Sequence, residues 1–345
     1  MRHVIVCCIC IFMITSCQKQ TEHYVWEHVK WHEFSALNNQ QMQTGLAVWQ
    51  QSCLKQSDEQ IRFFDRMIDG KAMQNLCVAS LNASDATAFL QSHFNIYRIR
   101  TTVSDYLHLT GYYIPLLHVS NTPDNTYHVP IYAKPDKQYR TLYSRKEIDE
   151  GALHGKTSII AYADNAVDVF FLQIQGSGYA QYPDGSRALL RYAGKNDMAY
   201  TAIGGYFIQN GLATKEEMSL QWLKDWLNTH PEQAPAIMQR NASYVFFEHA
   251  AGEADIVGAQ GTPLEAMHSV AIDPQYLSYG VPLFLDADDM QHMVVTQDTG
   301  SAIKGRLRAD LFAGAGDMAE VLAGTLNRNA ALYVFFPKDV PYVQQ

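Results

Sequence analysis

Residues 294–314 read V-V-T-Q-D-T-G-S-A-I-K-G-R-L-R-A-D-L-F-A-G. With Met293 in front, Val294 and Val295 open the stretch as a strand, and the chain then breaks at Gly300 and Gly305. Asp298 and Asp310 stand on either side of the broken loop. Asp beside Gly at a strand end makes turns, and turns at the ends of a rigid scaffold display reactive groups. Turn capping alone accounts for two such aspartates. The functional alternative is that two neighbouring carboxylates push one pKa up and supply the protonated acid that glycosidic cleavage needs. Lys304, Arg306 and Arg308 lie in the same loop and would act in the opposite sense, so geometry decides.

At 345 residues the chain is long enough for two domains. Its 47% hydrophobic and 18% charged residues are an ordinary globular balance. A formal charge of −9 with no clustered Lys or Arg argues against a nucleic-acid partner. The 20 Tyr against 5 Trp suit a surface that stacks on sugars, although strand packing accounts for most of them. Beyond the first residues no apolar run approaches the roughly 20 residues of a membrane-spanning helix.

The N-terminus is M-R-H-V-I-V-C-C-I-C-I-F-M-I-T-S, with a basic start, an apolar run over 4–14 and small polar residues after it. Residues 1–16 therefore read as a secretory signal peptide. Ile14-Thr15-Ser16-Cys17 resembles a bacterial lipobox, which implies cleavage before Cys17 and lipidation of that cysteine. Gln18, which is not Asp, points to the outer membrane, facing the periplasm. Cleavage removes only Arg2 among charged residues and takes the charge from −9 to −10. Cys53 and Cys77 remain; an oxidising compartment suggests one disulfide, two buried free thiols being the alternative. Neither has metal-ligand spacing.

Residues 17–35 read as lipid anchor and linker. Over 38–94 the pattern is helical: Leu46, Trp49 and Cys53 recur at helix spacing, as do Ile61, Phe64 and Ile68 with Gly70 as the stop. Ser84 precedes a short helix carrying Phe89, Leu90 and Phe94. From Leu109 the chain turns rich in Tyr, Gly, Pro and β-branched residues. Residues 157–162, 169–175 and 188–192 read as strands, the second with Gln173 and Gln175 on one face. Thr214-Lys215-Glu216-Glu217 is a capping box, followed by the core stripe Met218, Trp222, Leu223 and Trp226. Strand character returns over 244–247, 266–272, 281–285, 292–296 and 332–336. Y-V-F-F occurs at 244 and at 333, which would fit a barrel of two similar halves.

Other chemistries fail on spacing. Gly176-Ser177-Gly178 lacks the third glycine of a dinucleotide loop and has its glycines at the wrong offsets for a serine-hydrolase elbow. The 13 His contain no HExxH and no His/Cys pairing, so no metal and no cofactor is expected.

Seven segments together carry a resemblance: T-G-Y-Y at 110, Q-G-S-G-Y at 175, Y-A-G-K-N at 192, S-Y-V-F-F at 243, S-V-A-I-D at 269, Q-D-T-G-S-A-I-K-G at 297 and A-D at 309. The sequence resembles the membrane-bound lytic murein transglycosylase A family. The common loop has two glycines where this chain has Gly300-Ser301. The resemblance implies a mainly β fold with α-helical additions: a double-psi β-barrel over 36–108 plus 245–345, and an inserted smaller β-rich domain over 109–244, with a groove between. It implies an exo-acting lyase that cleaves the β-1,4 bond between N-acetylmuramic acid and N-acetylglucosamine in peptidoglycan and leaves 1,6-anhydromuramyl ends. Asp310 matches the family's single catalytic acid and base, and Asp298 is cast as its support. Thr110, Tyr112, Tyr113, Gln175, Ser177, Gly178, Tyr192, Lys195, Asn196 and Asp273 are the glycan-binding candidates. Expected partners are peptidoglycan strands, outer-membrane lipid through Cys17, and cell-wall synthesis or division proteins. An inverting hydrolase using Asp298 and Asp310, or a non-catalytic peptidoglycan binder, are the alternatives.

Overall fold

The computed structural model describes residues 22–34, 39–56, 59–214, 217–250, 255–287 and 290–345. The signal peptide and Cys17 lie outside the described residues, as do Lys215 and Glu216 of the capping box.

The chain begins with β1 (Tyr24–Val29), α1 (Asn39–Cys53), β2 (Ile61–Phe63), β3 (Arg66–Ile68), α2 (Gly70–Ser80), α3 (Ala86–His93), β4 (Phe94–Thr101) and β5 (Leu107–Ile114). A middle section holds β6 (Leu116–Ser120), β7 (Val129–Tyr132), α4 (Lys137–Arg140), α5 (Arg145–Asp149), β8 (Ile159–Ala163), α6 (Ala166–Gln175), β9 (Gly178–Gln181), β10 (Arg187–Lys195), α7 (Gly204–Gln209), α8 (Leu220–Thr229), α9 (Ala234–Met238) and β11 (Val245–His249). The last section holds β12 (Ser269–Ile272), β13 (Pro282–Ala287), β14 (Met290–Asp298), β15 (Arg308–Ala315), α10 (Asp317–Thr325), β16 (Asn327–Pro337) and β17 (Tyr342–Gln344).

Strands of the first and last sections form one sheet in the order β1-β4-β16-β13-β14-β12-β15-β5. The long β16 pairs with β4 and β13 through its C-terminal half and with β5 through Asn327–Ala330. That second pairing closes β16-β13-β14-β12-β15-β5 into a six-stranded barrel, the double-psi architecture expected, with β12–β14 and β15–β5 running parallel. Alternation along the strands sorts the two faces. Leu107, Leu109, Val270, Ile272, Ala309 and Leu311 enter the main core, while Tyr112, Ile114, Ala271 and Phe312 form a separate cluster on the other face. Helices α1 to α3 cover the barrel through Met42, Leu46, Trp49, Met73 and Leu90. The middle section makes its own sheet, β11-β10-β9-β6-β8-β7.

Several sequence expectations change. Residues 169–175 are helical, not a strand. The Asn165 side chain caps Val167 N–H at 2.8 Å, and Gly176 ends the helix at φ 84°, a left-handed conformation that glycine takes without steric cost. Apolar residues surround this helix because it is sandwiched: Val169 and Leu172 face the sheet core, Val167, Phe170 and Phe171 the cluster of α7 to α9. That all-round pattern mimics a strand buried on both faces.

Ile61, Phe64 and Ile68 sit on a hairpin, not a helix. Phe64 turns it at φ 58°, held by Phe64 N–H donating to Tyr276 O at 2.7 Å and by ring contacts with Tyr24 and Trp26. Gly70 starts α2 under an Asp69 cap instead of ending a helix, and α3, capped by Asp85, ends at His93, so Phe94 opens β4 instead of belonging to the helix. Residues 24–29 are no linker: β1 pairs with β4 along its length and packs Tyr24 and Trp26 on the core. Thr214 and Glu217 make their reciprocal hydrogen bonds, yet the helix starts only at Leu220 under the Ser219 cap. The two Y-V-F-F segments lie in different sheets, in β11 and in β16, and are not halves of one barrel. β5 is a barrel strand, and β11 belongs to the middle sheet, so the crossings fall after Ile114 and after His249 instead of at 109 and 244.

The two sheets are tied together at helices. Lys224 of α8, only 14% exposed, sits 3.1 Å from Asp168 of α6 and 2.6 Å from Glu320 of α10. Tyr113 N–H of β5 donates to Gln175 Oε1 of α6 at 3.2 Å. Cys53 and Cys77 are joined as a disulfide between α1 and α2.

The bridge closes a loop with a sequence separation of 24 residues. Chain-entropy reasoning assigns such a loop about 3 kcal/mol. Replacing both cysteines by alanine is expected to lower the unfolding free energy by about that amount. Urea titration of the oxidised wild type, the reduced wild type and the double variant checks this, the last two being expected to coincide.

Candidate active site

Barrel register builds the site. Ala271 of β12 pairs with Asp298 of β14 on one side and with Asp310 of β15 on the other, and Asp310 pairs in turn with Thr110 of β5. Asp298, Ala271, Asp310 and Thr110 thus form one row across four strands. Two interstrand steps put the Asp298 and Asp310 backbones about 9–10 Å apart. Ala271, the residue between them in that row, is almost fully buried.

Asp298 is well supplied with donors. Its Oδ1 accepts from Ala259 N–H and Thr299 N–H, both at 2.9 Å, and its Oδ2 accepts from the Tyr112 hydroxyl at 3.0 Å. Burial raises its pKa, and those three hydrogen bonds pull it back down. Asp310 is also raised, first by burial and further by Asp298, against the Thr110 hydroxyl and the Arg308 guanidinium. Its Oδ1 accepts from the Thr110 hydroxyl. With one such donor against three, Asp310 is the carboxyl better suited to hold a proton, and Asp298 the one better suited to stay charged.

The cations of the loop separate. Lys304 lies 3.8 Å from Asp273, and Arg306 turns to Glu22 at 3.6 Å and to the rings of Tyr24 and Tyr276. Only Arg308 of the three is among the groups that act on Asp310. Spacing could have singled it out, because positions 308 and 310 share a strand face. Ala259 N–H had no such signal: it arrives from a separate loop, pinned by Gln297 Nε2 donating to Thr262 Oγ1 at 3.0 Å.

The other expected site residues divide. Thr110 and Tyr112 meet the carboxylates, but as their hydrogen-bond donors. Asp273 accepts from Gly305 N–H at 3.0 Å and Gln275 N–H at 3.2 Å, and with only 3% of its side chain exposed it braces the 299–307 loop. Asn196 is wholly buried; it donates to Tyr143 O and Ala242 O and accepts from Tyr244 N–H, so its amide is spent on the fold and not on a ligand. Tyr113 is buried against Ala313, Ala319 and Ala323. At Gly178 a Cβ would stand 2.4 Å from Leu172 Cδ1 and 3.1 Å from Pro115 O, so a side chain there would force Leu172 to shift. Gln175 uses its oxygen on Tyr113, and Ser177 is half-buried after the α6 cap. Tyr192 is 51% exposed and Lys195 half-buried on β10, next to a cavity of about 380 Å³ lined by Ala133, Lys134, Ala193 and Phe247 among others. Among the described residues, no group of three or more His, Cys, Asp or Glu could hold a metal.

A closed six-stranded barrel with a buried aspartate pair, and a second β-sheet inserted into it, defines the class. Residues 108–248 match the MltA specific insert domain, and residues 268–336 match the 3D domain. The chain is 36% identical over 228 residues to the membrane-bound lytic murein transglycosylase A of Vibrio cholerae, covering 62% of this chain and 61% of that protein. The matched region thus spans about three fifths of that relative. Among solved structures, a membrane-bound lytic murein transglycosylase from Agrobacterium tumefaciens superposes with a TM-score of 0.78 at 26% identity, covering 91% of this chain and 98% of that one. Escherichia coli MltA with bound chitohexaose gives 0.68 at 31% identity, covering 77% and 82%. The chain belongs to the membrane-bound lytic murein transglycosylase A family.

The raised Asp310 pKa has a stability consequence. Between the ordinary carboxylate value near 4 and the higher folded value, the folded state binds the extra proton. The associated stability is fully present below that ordinary value and is lost as pH rises through the folded pKa. Asp310→Asn keeps an acceptor for Thr110 without the charge. Its melting temperature is expected to exceed that of the wild type at pH 7, with the gap closing below about pH 4; thermal scans across pH check it.

Proposed function

We propose that the protein is a peptidoglycan lytic transglycosylase in which Asp310 serves alone as acid and base. The observation that carries this reading is the unequal treatment of two carboxylates on one face, with Asp310 poised to carry a proton and Asp298 held charged. The protonated Asp310 donates to the glycosidic oxygen between N-acetylmuramic acid and N-acetylglucosamine, and the C1–O bond breaks. The Asp298 carboxylate offsets positive charge growing at C1. The muramyl 6-hydroxyl oxygen then bonds to C1 and returns its proton to Asp310. The products are an N-acetylglucosamine end and a 1,6-anhydromuramyl end, with no water consumed.

An inverting hydrolase would use Asp298 as the base that activates water, and carboxyls about 6.5–9.5 Å apart suit that reaction. The three donors on Asp298 argue against it, because an oxygen pair already accepting that many hydrogen bonds is a poor proton acceptor. Family membership favours the same choice, since relatives named lytic murein transglycosylases share the fold, and the chitohexaose in the Escherichia coli protein supports a glycan strand as the ligand. In this reading Tyr192 and Lys195 contact the glycan from the inserted sheet, the inserted unit covers the middle section, and lipid attached at Cys17 anchors the protein to the outer membrane.

Mass spectrometry of sacculi digested by the purified protein tests the reaction. Anhydro-muropeptides are expected; reducing muramyl ends would establish a hydrolase, and intact sacculi with retained binding would establish a non-catalytic binder. Asp310→Asn is expected to lower turnover by about 10²–10⁴-fold. Near-wild-type lysis from that variant would remove Asp310 from its role.

A further inference from the structure

Arg308 and Thr110 form a chain of hydrogen bonds that ends on the acid. Arg308 Nη2 donates to Thr110 Oγ1 at 2.7 Å, and Thr110 Oγ1 donates to Asp310 Oδ1. Arg308 Nη1 is spent on the Ala309 and His108 carbonyl oxygens, which holds the guanidinium in place along β15. The direction of the chain follows from chemistry. A guanidinium has donors only and keeps its proton, so the Thr110 oxygen accepts from Arg308 and its single proton goes to Asp310.

We propose that Arg308 is a positioning residue acting through Thr110: it commits the Thr110 hydroxyl proton to Asp310 Oδ1 and leaves Oδ2 as the oxygen that carries the acidic proton. The inference rests on the transglycosylase reading for its catalytic meaning, though the relay is a property of the carboxyl itself. Without Arg308 the hydroxyl can accept from Asp310 as readily as donate to it, and the proton can sit on either oxygen. A fixed address matters because a general acid must meet the leaving oxygen within hydrogen-bond reach in one orientation. The other groups facing Asp310 do not supply this. Asp298 of β14 adds negative charge, Tyr112 of β5 is turned to Asp298, and β12 contributes only Ala271.

The experiment compares wild type, Arg308→Met, Thr110→Val, Thr110→Ser and the Arg308→Met/Thr110→Val pair. Two readouts are taken: the pH profile of turnover on soluble glycan chains, and the titration of Asp310 by carbon-13 carboxyl resonances. Arg308→Met and Thr110→Val are each expected to move the alkaline limb and the carboxyl titration upward by about one unit, with turnover reduced and KM held. The double variant is expected to shift no further than the larger single, and Thr110→Ser, which keeps the hydroxyl, to restore the wild-type carboxyl titration. A shift in Arg308→Met with none in Thr110→Val would mean a plain charge effect and would overturn the relay, as would additive shifts or none. If the wild type yields no anhydro product, the reaction assigned above fails, while the carboxyl titrations still decide the relay.

Discussion

Two carboxylates buried in one row of the barrel, separated by one intervening strand, are the constraint on which the rest of the structure depends. Burying a charge is costly unless donors replace its water, and two like charges on one barrel face compound the cost. Each supporting element answers that problem. The loop before β12 brings Ala259 N–H, and the turn after β14 brings Thr299 N–H. β5 brings both Tyr112 and Thr110, and β15 brings Arg308. The support is unequal: three donors reach Asp298 and one reaches Asp310, and on that inequality the proposed division into proton carrier and fixed charge rests.

The donors depend in turn on parts with no chemistry of their own. Asp273 holds Gly305 and so shapes the loop that joins β14 and β15. Gln297, buried beside Asp298 in sequence and facing the other way, accepts from Ser269 and donates to Thr262, which keeps the Ala259 loop in place. The inserted sheet is tied to the barrel by the Lys224 ion pairs and by Gln175 on Tyr113, away from the carboxylates.

Much of the barrel was legible from periodicity, because β12, β13, β14 and β16 are apolar runs bounded by turns. The aspartate pair was visible as well. Errors came where one pattern fits two structures. An apolar run buried on both faces reads alike as strand or helix, which misled over α6, and Asn165 and Gly176 were its better guide. Phe64 in a left-handed turn has no local signal, since a backbone bond to Tyr276, more than two hundred residues away in the chain, supports it. Among site residues, segments such as Y-A-G-K-N mix roles: Asn196 is spent inside the fold while Tyr192 stays exposed.

By itself the sequence pointed to the family through its motifs, and to several barrel strands and the aspartate pair through hydrophobic alternation and residue type, which are local properties. Only the tertiary structure shows how unequally the two aspartates are supplied with donors. That inequality is set by burial and by donors from four separate segments, and of the three nearby cations it leaves Arg308 alone facing Asp310. Proton affinity is a property of surroundings, and those are assembled only when residues 110, 259, 298 and 310 meet.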